Sequence, residues 1–186
     1  MKKLFTLLVL FGTISNTVLS QCAENIEKKV LLIGDSWAAF MNADQTINHA
    51  LKKFGHSNYQ YTTSYVISEN GADTWDFLDQ TKQTEIQNLI DANPSIEIVH
   101  VSIGGNDVLG DWNVDFTDEE TDSLEAAVKG RLTQIFDFLK STRPGMRIFW
   151  GGYCYTNFEE VIQAIAPAQA AHPFYSTWSD MGDRKS

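Results

Sequence analysis

The chain has 186 residues, with 14 basic and 24 acidic side chains and a formal charge of −10. That length suffices for one domain with its own core, and 43% hydrophobic residues with five Trp, six Tyr and eleven Phe exclude a disordered chain. The acidic balance repels phosphate backbones and anionic headgroups, so no nucleic acid is expected as a partner, although such a surface also serves simple solubility.

Lys2 and Lys3 begin the chain, and Leu4 to Ile14 form an apolar run too short to span a bilayer comfortably. With Val18-Leu19-Ser20 before Gln21, residues 1–20 read as a secretory signal and 21–186 as one domain. No stable membrane span is expected, and the localisation is exported, periplasmic or secreted. Cleavage would remove two lysines and no acid, lowering the charge to −12. Leu19-Ser20-Gln21-Cys22 resembles a lipobox, but Gln21 stands where that motif wants a small residue. Export permits a disulfide between the two cysteines, Cys22 and Cys154, without requiring one, and no His/Cys cluster suggests a metal.

Lys29 to Ile33 is a β-prone apolar run ended by Gly34, the pattern of a strand buried on both faces. Ala38 to Phe54 has roughly helical apolar spacing and stops at Gly55, and Tyr59 to Ile67 reads as a second strand. A turn around Gly71 follows, then a helix over Thr84 to Ala92 closed by Asn93-Pro94. Ile96 to Ile103 is the clearest strand, ended by Gly104-Gly105, and Asp107 to Phe116 reads as a loop. Thr117-Asp118-Glu119-Glu120 fits a capping box. The helix it opens carries Leu124, Val128, Leu132, Ile135, Phe136 and Leu139 on one stripe and ends at Pro144-Gly145. Met146 to Trp150 is another strand, and Glu159 to Ala166 reads as a short helix. Strands alternating with helices predict an α/β fold with a parallel sheet, whose functional loops lie at the carboxyl ends of the strands.

Three glycine turns at such ends carry chemical groups. Gly34-Asp35-Ser36-Trp37 puts a serine at a strand-to-helix turn, where it could equally cap the helix. Asn70-Gly71-Ala72-Asp73-Thr74 and Gly104-Gly105-Asn106-Asp107 offer backbone N–H groups and an Asn amide, the donors a tetrahedral oxyanion needs. Each turn is ordinary loop chemistry by itself. Together, in order and at strand ends, they are not. Asp35 and Asp107 are expected to fix the turns by hydrogen bonding rather than to titrate in catalysis.

Gly-Asp-Ser after the first strand, a later glycine turn, and then Gly-x-Asn-Asp resemble the SGNH (GDSL-type) hydrolases over about residues 28–150. The resemblance implies a flavodoxin-like α/β/α sandwich and hydrolysis of carboxylic esters through an acyl-enzyme. It implies Ser36 as the nucleophile and the Ser36 N–H, Gly71 N–H and Asn106 side chain as the oxyanion hole. No cofactor is implied. The substrate would be a small-molecule, carbohydrate or lipid ester. Trp37 replaces the usual Leu after Ser, and Ala72 separates Gly71 from Asp73-Thr74. An α/β-hydrolase elbow, G-x-S-x-G, is missed at Ala38 and would normally follow several strands, not the first.

A serine hydroxyl needs a base. The family supplies an Asp and a His three residues apart near the C-terminus, but no D-x-x-H occurs here. His49 and His56 read as surface residues and His100 as a core or supporting residue. His172 is the only histidine after Asn106, and Gln169 stands three residues before it. The expectation is a chain truncated before its catalytic Asp/His block, with His172 as the rival base. Trp150, Tyr153, Tyr155 and Phe158 could wall an acyl or sugar site, or simply pack. The alternatives are a non-catalytic carbohydrate- or lipid-binding module on this scaffold and, last, a nucleotide-binding flavodoxin-like protein. The latter lacks both glycine-rich phosphate motifs.

Overall fold

The computed structural model describes residues 25–113 and 115–151. The signal segment, Cys22, Cys154, Tyr153, Tyr155, Phe158, the Glu159–Ala166 helix and His172 lie outside the described residues. The elements run β1 (Glu27–Gly34), α1 (Ser36–Ala43), α2 (Thr46–Lys53), β2 (Tyr59–Thr62), a 3₁₀ turn (Asp76–Leu78), α3 (Gln80–Ala92), β3 (Ile98–Ser102), α4 (Gly105–Asp111), α5 (Asp118–Thr142) and β4 (Arg147–Trp150). The four strands form one sheet in the order β2-β1-β3-β4. Every pairing is parallel, with Val30 opposite Ile98 and Ile98 opposite Arg147. This is the flavodoxin-like order over its first four strands, with the chain reversing its direction of travel between β1 and β3.

The alternation of β1 explains its place at the centre. Leu31 and Ile33 face a core shared with Ile86 and Ile90 of α3 and Val128, Leu132, Ile135 and Leu139 of α5. Val30 and Leu32 face the opposite side, with Ala38, Met41 and Ile47 of α1 and α2. Leu31, Leu32 and Ile33 are each 0% exposed, and burial of such a side chain stabilises by about 1.5–3 kcal/mol. The sheet is therefore sandwiched between helical layers, as expected for an α/β fold. The capping box at the start of α5 is present in both directions. Thr117 Oγ1 accepts from the Glu120 N–H at 3.2 Å, and Glu120 Oε2 accepts from the Thr117 N–H at 2.8 Å.

Three expectations need correction. The single helix over Ala38–Phe54 is two helices, broken at Gln45, whose φ of 53° is left-handed. The break is held from the neighbouring strand, since the Gln45 amide donates to Tyr61 Oη at 2.8 Å and Tyr61 Oη donates to Asn42 Oδ1 at 2.8 Å. The strand expected over Tyr59–Ile67 stops at Thr62. Thr63 Oγ1 there donates to the Leu32 carbonyl at 2.7 Å, and the chain turns before rejoining the β1 edge at Ser68. The loop expected from Asp107 is instead the helix α4, because its first turn is anchored through the Asp107 side chain. No helix among the described residues is long and apolar enough to cross a membrane.

Candidate active site

The first turn exists because β1 and β3 come together closely at their carboxyl ends. Gly34 has φ +148°, and a Cβ built there would lie 2.0 Å from the Ser102 carbonyl oxygen. Only glycine lets the strands approach so closely. The next residue closes the junction, with the Asp35 N–H donating to that same Ser102 carbonyl at 2.9 Å. Asp35 then caps α1 by accepting the Trp37 N–H at 3.0 Å, and Ser36 becomes the first residue of the helix, half-buried at the rim. So Asp35, not Ser36, is the helix cap. Ser36 is left without the structural duty that most simply explained it.

The second turn is tied to the first. Gly34 donates its N–H to the Ile67 carbonyl at 2.8 Å and accepts the Glu69 N–H at 3.0 Å. Lys82 of α3 holds the outer side, bonding its Nζ to the Val66 carbonyl at 2.6 Å and to the Glu69 carboxylate. Gly71 stands at the exposed tip with φ +81°.

The third turn is tied to the second. Asn106, in the first turn of α4, donates Nδ2 to the Ala72 carbonyl at 2.8 Å. An amide has two N–H donors, and this bond uses one. Asp107 is 3% exposed and accepts the Thr74 N–H at 3.0 Å and the Thr74 hydroxyl. Ser36, Gly71 and Asn106 thus stand on three turns at one rim of the sheet, each turn hydrogen-bonded to the next. That rim lies at the β1/β3 switch point, where doubly wound folds bind ligands.

No family model matches the chain, and no curated protein matches it. A solved acetyl xylan esterase matches in structure. It is 16% identical, with a TM-score of 0.45, over 84% of this chain and 71% of that one.

Burial pushes the Asp35 carboxyl up to about 6, and the nearby Asp107 charge adds to the shift while the Trp37 N–H opposes it. Asp35 accepts the Trp37 N–H, and Asp107 accepts the Thr74 N–H and hydroxyl. Trp37 is 57% exposed beside Ser36 and meets Phe40 edge-on, with 6.4 Å between ring centroids.

None of the three described histidines lies on these turns. His49 is exposed on α2, and the exposed His56 stacks on Tyr59 at 5.5 Å. His100 lies within β3 against Phe149 at 5.1 Å, and burial lowers its pKa. Trp150 packs edge-on to Phe136 and donates its indole N–H to the Ile103 carbonyl at 3.0 Å, so it has a structural role. Among the described residues no group of three or more His, Cys, Asp or Glu could hold a metal.

Two residues of the site escaped the sequence reading. Arg131 lies among Val128, Leu132 and Ile135 on the buried stripe of α5, and Lys82 shares the buried side of α3 with Ile86 and Ile90. A cation at helical spacing within an apolar stripe was the available signal. Arg131 reaches both Thr74 and Asp107, donating to them at 2.6 and 2.9 Å.

Proposed function

We propose that the protein is a serine ester hydrolase of the SGNH type, working on carboxylic esters through an acyl-enzyme. The observation that carries the reading is the bond from Asn106 Nδ2 to the Ala72 carbonyl, at 2.8 Å. It joins two donor-bearing turns at the rim where Ser36 opens α1. In the proposed reaction Ser36 Oγ attacks the ester carbonyl carbon as a base takes its proton. The Ser36 N–H, the Gly71 N–H and the second Asn106 N–H hold the oxyanion. Collapse of the tetrahedral species expels the alcohol, which takes the proton back from the base. Water then attacks the acyl-serine in the same way and restores the hydroxyl.

The base comes from outside the described residues, and His172 is the histidine this chain has there. Export directed by residues 1–20 would place the reaction outside the cytoplasm. The test is turnover of p-nitrophenyl acetate with mass analysis of the trapped enzyme. A Ser36-linked acetyl adduct, lost in Ser36→Ala, is expected. An unmodified Ser36 with equal background rates in both proteins would favour the non-catalytic binding module. His172→Ala decides between an in-chain base and one supplied elsewhere.

A further inference from the structure

We infer that Arg131 is a positioning residue that holds the two oxyanion turns in register, an inference that rests on the reading of Gly71 and Asn106 above. Arg131 belongs to α5, 57 residues after Thr74 and 24 after Asp107, and is 7% exposed. Its guanidinium is engaged on its edge and on its face. Nε donates to Thr74 Oγ1 at 2.6 Å, and one Nη donates to Asp107 Oδ1 at 2.9 Å. The Trp75 ring covers the guanidinium plane, with its centroid 4.6 Å from the central carbon.

The donors and acceptors close on one another. Arginine only donates, a carboxylate only accepts, and the Thr74 hydroxyl does both, accepting from Arg131 and donating to Asp107. Thr74 is itself 0% exposed. Asp107 adjoins Asn106, and Thr74 lies two residues past Ala72. One cation therefore grips both sides of the Asn106–Ala72 bond.

Stability alone does not account for this choice of residue. A buried ion pair gains little over well-packed apolar side chains of the same volume, because both charges lose their water. A planar fork does provide direction, fixing two partners at set angles as a lysine or an apolar side chain cannot. Thr74 and Asp107 belong to the turns that follow β2 and β3, and without the fork they meet only through their own bonds.

The experiment uses ¹⁵N-labelled protein with Arg131→Met, Arg131→Lys and Thr74→Val. The readouts are the Asn106 side-chain amide pair, the Gly71 N–H resonance and hydrogen exchange over residues 71–75. In the folded fraction of Arg131→Met, both signals are expected to move and local exchange to rise about tenfold or more over that of the β1 amides. Arg131→Lys keeps the charge without the fork and should leave those signals displaced. If Arg131→Met does not fold, Thr74→Val decides, since it removes the hydroxyl relay and leaves the ion pair. A lowered melting temperature with wild-type Asn106 and Gly71 signals would overturn the inference and make Arg131 structural only. These signals do not depend on turnover, so an inactive Ser36 would defeat the hydrolase reading and leave the positioning result readable. In active protein, Arg131→Lys should lower kcat on the order of 10–100-fold at nearly constant KM.

Discussion

The Asn106 side chain donates to the main-chain carbonyl of Ala72, 34 residues earlier and 2.8 Å away, and so joins the turn after β3 to the turn before α3. Under the proposed mechanism the other N–H of that amide faces the reacting oxygen. Asn106→Ala should lower kcat for p-nitrophenyl acetate by about 10²–10³-fold, the usual loss for one oxyanion donor. Stopped-flow measurement of the acylation phase checks this. Loss in KM alone would point to substrate binding by Asn106 and not to transition-state stabilisation.

Gly34 and Gly71 both have positive φ, yet alanine should affect them very differently. At Gly34 the added carbon would meet the Ser102 carbonyl oxygen at 2.0 Å, while at Gly71 nothing lies within 4 Å. Gly34→Ala should therefore cost more than about 4 kcal/mol, since strands β1 and β3 must part. Gly71→Ala should cost only the backbone penalty, about 1–2 kcal/mol. Urea titration of both variants measures the difference.

Asp35 gives a pH dependence of defined sign. Its carboxyl ionises near 3.8 when unfolded and near 6 when buried. Between these values the folded chain keeps a proton that the unfolded chain has released. The stability from protonated Asp35 is thus complete below about pH 4 and is lost as pH rises through 6. Asp35→Asn retains an oxygen for the Trp37 N–H and has no proton to lose. Its stability relative to wild type should rise by roughly 1–3 kcal/mol between pH 4 and pH 7. Parallel thermal melts across that range give the comparison, and a flat difference would refute it.

His100 behaves in the opposite sense. Burial lowers its pKa from the ordinary 6.5, so below that pH the unfolded chain takes up a proton more readily than the folded one. Stability tied to neutral His100 is present above 6.5 and declines as pH falls. His100→Phe, packed against Phe149, should remove that decline from the acid limb of the stability curve. Denaturant midpoints at several pH values between 5 and 8 test it.

The proposed export makes a simple chemical prediction. The mature protein should begin at Gln21, free or cyclised, as read by intact mass after secretion. A diacylated Cys22 would mean anchoring in place of release, and a retained Met1 would exclude export.

Much of this arrangement was legible in the residues. The apolar runs of β1 and β3, the Thr117 capping box and the Leu124–Leu139 stripe all followed local rules of burial and capping, and the structure keeps them. The three turns of the candidate site were readable as turns because glycine and polar residues cluster at strand ends. Other features depend on partners remote in sequence. The helix break at Gln45 is fixed by Tyr61, and nothing in the local spacing reveals it. Helix α4 was hidden by two glycines that weaken helical propensity and is anchored by Thr74 through Asp107. Arg131 interrupts an apolar stripe, but only the fold shows which turns it reaches.

The central place of β1 also bears on how the chain comes into being. Its apolar residues are made before those of its sheet neighbour β3, which begins only at Ile98. At about 5–20 residues per second, the roughly 60 intervening residues take on the order of 3–12 s to synthesise. For that interval Val30 to Gly34 have at most one sheet neighbour, β2, and one of their two edges is bare. A nascent chain in this state presents a sticky, unpaired strand, and this is the segment a holding chaperone would be expected to grasp first.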